Sequence, residues 1–291
     1  MFLEGWLVRQ EHYLDELTTT TTESNIYETH DSVLRDLIER VLAHYQQYYE
    51  AKSLLSKQDV FILFSPVWFS SLEKSFLWIS GFRPCLAIKI VKNSVNDLSE
   101  EQSEKLEKLK LEIKEEEKEL DEDLIRIQES LAAPPFSEIA RRWGRLVVNG
   151  NERRRNRCQE EDDEEEEFTT MLTSEMEILV QRADFLRLKI TLKVIEILDS
   201  VQTVRFFVAI GKLQLRIRKL GFQRDEQRND GQDFPLGVSL LEGVIPAPQC
   251  DWSLKDWSGF KVQSSGFWIT FQKFMENEKK RRKVQNKNKC C

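Results

Sequence analysis

Histidine is nearly missing from this chain: His12, His30 and His44 are the only three in 291 residues, and all fall within the first 44 positions. Their spacing matches no short metal-ligand motif, and so few imidazoles leave little material for acid–base chemistry near neutral pH. Cysteine is also sparse. Cys85, Cys158, Cys250, Cys290 and Cys291 form an odd, scattered set without a CxxC pair, which argues against a disulfide framework or a zinc site. Reduced thiols in a cytosolic or nuclear compartment fit that pattern. No stretch reaches the roughly 18 consecutive apolar residues of a membrane helix, and the start, MFLEGWLVRQEH, lacks both a basic n-region and a long apolar h-region. A soluble intracellular protein is expected. GxSxG, GxxxxGK[ST], GxGxxG and HExxH are all absent, so no catalytic constellation is legible and no enzyme is expected.

Apolar residues make up 40% of the chain, enough for a sizeable core, and a net charge of −7 within 32% charged residues excludes a wholly basic nucleic-acid surface. The apolar positions repeat at helical spacing. Phe2, Leu3, Trp6, Leu7, Tyr13, Leu14 and Leu17 share one face, and the polar run TTTTTES is expected to end that helix. From Thr29 to about Lys57, Val33, Leu34, Leu37, Ile38, Val41, Leu42, Tyr45, Tyr48 and Tyr49 predict a long amphipathic helix. From Ser99 to Leu131, a Ser99/Gln102 capping box precedes a near-heptad stripe of Leu106, Leu109, Ile113, Leu120 and Ile127, interrupted at Glu116 and Asp123. That pattern predicts a long exposed helix packed along one seam, supported by pairs such as Glu101 with Lys105.

Pro134 and Pro135 break the pattern, and a short helix, SEIARRWGRLVV, is expected next. The segment ERRRNRCQEEDDEEEE sets four arginines before eight acids, Glu160–Glu167, and reads as a solvated charged loop over about 149–167. It lacks the spaced Asp/Asn and Gly pattern of a calcium loop. Another long helix is expected from Phe168 to about Asp199, on Leu172, Met176, Leu179, Leu186, Ile190, Val194, Ile197 and Leu198. Ser200 is then expected to cap a further helix that Gly221 would close. Residues 226–291 form a separate extension, glycine- and proline-rich at first and basic at its end. The expected fold is an all-α multi-helix bundle with a largely irregular C-terminal tail.

Two features of that tail invite function. The run Lys279, Lys280, Arg281, Arg282 and Lys283 has the form of a nuclear-localisation signal. The adjacent Cys290 and Cys291 have the form of a lipidated polybasic tail, although not a CaaX box.

The densest aromatic stretch is FSPVWFSSLEKSFLWISGFRP, residues 64–84, with Trp68, Trp78 and four phenylalanines. Ser65–Pro66 is expected to open a helix, Ser70 with Glu73 to form a capping box, Gly81 to sit at a C′ position and Pro84 to open the next helix. With only Lys74 and Arg83 as bases, the stretch suits a short buried helix in the core better than a base-stacking platform.

Together with FLEGWLVRQEHYLDEL, HYQQYYEAKS, LSEEQSEKLEKLKLEIKEEEKELDEDL and VQTVRFFVAIGKLQLRIRKLG, this stretch resembles the plant Delay of Germination domain, which also forms the C-terminal region of TGA-type bZIP transcription factors. The resemblance spans about residues 1–225, with Phe64, Pro66, Trp68, Ser71, Leu72, Glu73, Trp78, Gly81, Arg83 and Pro84 as its signature, expected in the core. It implies a non-enzymatic regulator of transcription, seed dormancy and abscisic acid signalling. The implied partners are proteins, bZIP factors or signalling phosphatases, with residence in the nucleus and also the cytoplasm. The chain begins at the domain's first helix, so the basic-zipper element of the TGA relatives is expected to be missing and DNA is reached only indirectly. Direct DNA binding and a membrane-tethered adaptor are the alternatives. Some stand-alone members carry a haem-associated histidine pair where this chain has Gln214 and Arg218, so no haem is expected.

Overall fold

The computed structural model describes residues 2–22, 31–134, 137–138 and 159–229. All of them lie in the first of the chain's two units, Met1–Leu254. Among the described residues there are seven α-helices, one 3-10 turn and no strand. They are α1 (Phe2–Thr22), α2 (Asp31–Gln58), the 3-10 turn Val60–Phe64, α3 (Ser71–Ser75), α4 (Leu86–Ser94), α5 (Glu100–Ser130), α6 (Gln159–Ile197) and α7 (Ser200–Asn229).

Helical spacing explains what each helix buries. On α2, Leu34, Leu37, Ile38 and Val41 face the core as expected, but Val33 is exposed. Arg40 ties α2 to α1 through both carboxylate oxygens of Glu16, at 2.6 and 2.9 Å. The threonine run does not stop α1. Thr20 and Thr21 donate their hydroxyls to the carbonyls of Glu16 and Leu17, so their polar atoms are satisfied inside the helix, which runs on to Thr22.

The capping box before α5 forms as the sequence predicts: Gln102 N–H donates to Ser99 Oγ at 3.1 Å, and Ser99 N–H donates to Gln102 Oε1 at 3.0 Å. All five residues of its stripe are buried. The seam partner is α6, running antiparallel. Lys193 meets Glu112, Lys189 meets Glu116 at 2.5 Å and Arg182 meets Asp123. Each step of four or seven residues up α5 is matched by the same step down α6. The two acids that interrupt the apolar stripe therefore lie along this ladder of ion pairs.

Three further helix ends differ from expectation. The acidic run from Glu160 onward, expected as part of a loop, is helical and opens α6. Glu is a good helix former and acids are favourable near a helix N-terminus, so once the apolar seam anchors Phe168, Leu179 and Leu186 the helix propagates back through them. Asp199, not Ser200, caps α7: its carboxylate accepts from Gln202 N–H at 2.8 Å, and Gln202 Oε1 accepts from Asp199 N–H at 3.1 Å. Gly221 does not close α7, which continues to Asn229. Of the expected helix after Pro135 only residues 137 and 138 are described, and they are helical; the rest of it and the tail beyond Asn229, including Lys279–Lys283, Cys290 and Cys291, lie outside the described residues.

Candidate functional site

The aromatic stretch forms no buried helix. Ser65–Pro66 leads into a turn, closed by Phe69 N–H donating to the Pro66 carbonyl at 3.2 Å, and the five-residue α3 that follows buries none of its own residues. Its capping box is present, with Ser70 N–H donating to Glu73 Oε2 at 2.8 Å. Gly81 closes a tight turn instead of a helix: Trp78 N–H donates to its carbonyl at 2.7 Å and Gly81 N–H donates back at 3.1 Å. The two central residues, Ile79 (φ 43°) and Ser80 (φ 59°), both take left-handed backbone, a conformation of real cost for a β-branched residue. Pro84 precedes α4 by two residues.

Arg187 of α6 holds that turn. It is 1% exposed. Its Nε donates to the Phe82 carbonyl at 2.7 Å, and Nη2 donates to the carbonyls of Trp78 at 2.5 Å and Ile79 at 3.1 Å. Nη1 meets Asp184 at 2.6 Å. The guanidinium crosses so close to Gly81 that a Cβ there would lie 2.7 Å from Arg187 Cζ, which explains why glycine closes this turn.

The Trp78 ring lies near two guanidiniums, Arg83 at 5.3 Å and Arg187 at 5.5 Å from its centroid, while its Nε1 donates to Asp121 at 2.7 Å. Arg83 reaches Glu117 at 2.8 Å and Asp121 at 2.7 Å, and Glu117 also accepts from Cys85 N–H. Burial opposes the charge on Arg83, but Glu117 and Asp121 raise its pKa overall. Lys52 joins through Asp184 at 2.7 Å; burial lowers its pKa to about 8, with Asp184 pulling the other way. Three cations thus face three carboxylates, Asp184, Glu117 and Asp121.

A second contact seats α3 on α7. A Cβ on Gly221 would come 2.0 Å from Ser70 Oγ, so the missing side chain is what lets α3 lie against the helix. Asp225 accepts from Ser71 N–H at 2.8 Å and from its hydroxyl, and those bonds hold its carboxyl below the ordinary range. Arg218 pairs with Glu73 at 3.1 Å, donates to the Trp68 carbonyl at 3.3 Å and lies 4.8 Å from the Phe222 ring centroid. One of the two positions set against the family's histidine pair is thus committed to the signature; Gln214, the other, is half-buried.

The signature lies at the margin of the core, with Phe64 and Trp78 packed against it. Pro66 and Pro84 are buried; Phe64, Trp68, Leu72, Glu73, Trp78, Gly81 and Arg83 are half-buried, and Ser71 is exposed. The signature is a connector gripped by α5, α6 and α7, because its polar atoms must reach those helices. Sequence reasoning missed Lys52, Glu117, Asp184 and Arg187. The signal was charge at core-facing positions, most plainly Glu117 between Ile113 and Leu120.

A buried aromatic cluster joins α1 to α2. Trp6 stacks on His44 at 4.4 Å with 7° between the planes and donates its Nε1–H to the His44 carbonyl at 2.9 Å. His44 is 2% exposed, and neither ring nitrogen has a protein partner. Burial, with a smaller contribution from Arg9, lowers its pKa to about 4 from the usual 6.5. The unfolded chain therefore takes up a proton near pH 6.5 that the fold refuses until about pH 4. This contribution to stability is present in full above pH 6.5 and lost as pH falls toward 4. Urea unfolding across that window is expected to show a loss of up to about 3 kcal/mol that His44→Phe removes.

Among the described residues, no group of three or more His, Cys, Asp or Glu is placed to hold a metal, and no helix is long and apolar enough to cross a membrane. The fold and its two contact networks define an all-helical scaffold whose buried charges hold its own connectors. The family model for seed dormancy control, DOG1, matches residues 13–93. Protein ZW2 of Arabidopsis thaliana is 34% identical over 223 residues, covering 76% of this chain and 94% of that protein. Protein RESPONSE TO ABA AND SALT 1, from the same plant, is 33% identical over 242 residues, 78% of this chain and 95% of that protein. Transcription factor TGA5 of Arabidopsis thaliana is 29% identical over 190 residues, 65% of this chain and 54% of the factor. The chain belongs to the DOG1 seed dormancy control family and shares its domain with TGA transcription factors. Its role is that of a plant regulatory protein related to transcription.

Proposed function

We propose that the chain acts without catalysis, as a protein-docking regulator of transcription in dormancy and abscisic acid signalling. Its partners are bZIP factors of the TGA type or signalling phosphatases, and it works in the nucleus. The observation that carries this reading is similarity over about three quarters of the chain to a protein named for a response to ABA and salt. The TGA transcription factors that share the domain point to the same setting. Entry to the nucleus is assigned to Lys279–Lys283, and DNA is reached through a partner. The test is co-purification of the tagged full chain with a TGA-type bZIP factor or a signalling phosphatase expressed beside it. Recovery of one supports the reading; recovery of neither, or specific gel shifts by the chain alone, would overturn it. A companion chain lacking residues 279–291 is expected to lose nuclear accumulation, and unchanged accumulation removes the role given to the basic run.

A further inference from the structure

The middle of α7 carries an exposed row of positive charge with no counter-ion among the described residues. Lys212, Arg216 and Lys219 follow one another at steps of four and three residues, so they share one face over about 10 Å of helix. All three are exposed, and none has a carboxylate within ion-pairing distance among the described residues. The contrast within the same helix is sharp. Arg205, two turns earlier on that face, is neutralised by Asp97 at 2.7 Å, and Arg218 on the inner side by Glu73. Flanking the row on opposite sides stand Leu220, four residues past Arg216, at 41% exposure and Phe222, three past Lys219, at 39%.

We propose that the row Lys212, Arg216 and Lys219, with Leu220 at its edge, docks an acidic amphipathic helical segment of a protein partner. Carboxylates at steps of three and four on such a segment meet the row in register, and its apolar edge finds Leu220. A membrane surface fits less well, because the apolar side of α7, with Val204, Phe206 and Phe207, is already buried and no apolar face is left to insert. A nucleic-acid backbone fits less well in a chain of net charge −7, with Asp225 and Glu226 at the same end of the helix. The inference rests on the reading of the chain as a protein-docking regulator and names a surface for it.

The test is fluorescence anisotropy of the full chain with a synthetic acidic amphipathic peptide of about 18 residues, long enough to span the row. Saturable binding is expected, weakened about tenfold or more by the triple variant Lys212→Gln, Arg216→Gln, Lys219→Gln, and similarly by raising salt from about 50 to 300 mM. Leu220→Ser, with the charges intact, is expected to weaken it about threefold. Absence of saturable binding, equal binding by the triple variant, or tighter binding to duplex DNA or to anionic phosphatidylserine vesicles overturns the proposal. The variants change exposed side chains and are expected to keep the parent's circular dichroism. If the triple variant still co-purifies with the bZIP factor or phosphatase while peptide binding fails, the surface is wrong and the regulatory reading stands.

Discussion

Arg187→Met is expected to lower the free energy of unfolding by about 3–5 kcal/mol, a size reached when one member of a buried charged network is removed. Methionine fills much of the same volume, so the loss is one of hydrogen bonds and charge more than of packing. The carbonyls of Trp78, Ile79 and Phe82 lose their common donor, and Asp184 keeps only Lys52. A buried acceptor left without a partner costs about 1–3 kcal/mol; the carbonyls of Ile79 and Phe82 are left so, while that of Trp78 keeps the Gly81 N–H, and the turn can open to let water reach them. Opening relieves the left-handed backbone of Ile79 and Ser80, so the damage is expected to centre on that turn. Urea unfolding measures the size, and hydrogen exchange at the Trp78 and Gly81 amides, which close the turn, measures the place. Arg187→Lys is expected to recover little, because one ammonium cannot reproduce the planar fork that reaches three carbonyls and a carboxylate. Lys193→Met is the control. Lys193 pairs with Glu112 at the more exposed edge of the α5–α6 seam and is expected to cost about 1 kcal/mol or less. Equal losses at Arg187 and Lys193 would show that the turn does not depend on its clamp.

The same network marks where the sequence could and could not be read. Periodicity placed the long helices, because burial of an apolar stripe is written at fixed steps along the chain: Leu106, Leu109, Ile113, Leu120 and Ile127 are all inside. The capping boxes of α3 and α5 were legible for a similar reason, since each needs only residues three apart. Helix ends read from single residues fared worse. Gly221 and the threonine run look like stops in isolation, but a helix end depends on whether the next residues find partners. Here Thr20 and Thr21 bond their own helix, and Gly221 is covered by α3. The clamp lay beyond local reading altogether. Arg187 is more than a hundred residues from the carbonyls it binds, and only a charge inside an apolar stripe hinted at it. The Delay of Germination resemblance found the stretch by its aromatic spacing, and the spacing has a physical counterpart: Trp78, Gly81 and Arg83 each meet a guanidinium or a carboxylate at close range.

Gly221→Ala inverts the usual expectation for a helix. Alanine is favoured over glycine in a helix interior by about 0.5–1 kcal/mol, so the change should stabilise a free helix. Here the new methyl group would lie 2.0 Å from Ser70 Oγ, 2.7 Å from Ser70 Cβ and 3.2 Å from Leu72 Cβ. Rotating Ser70 moves only the first of these. The side chain is also tied to the cap of α3, accepting from Glu73 N–H and donating to Glu73 Oε2 at 2.8 Å, so relief requires α3 to move off α7. That movement stretches the bonds from Ser71 to Asp225 and from Arg218 to Glu73 and the Trp68 carbonyl. A net loss of about 2–3 kcal/mol is expected, the range of overpacking in a site that cannot give. Ser70→Gly removes both clashing atoms and, as a substitution at a helix cap, costs about a few tenths of a kcal/mol in capping itself. In that background Gly221→Ala is expected to cost less than about 1 kcal/mol, a coupling of about 1–2 kcal/mol in thermal or urea unfolding of the four proteins of the cycle. Additive losses would mean that α3 and α7 do not meet at these two residues.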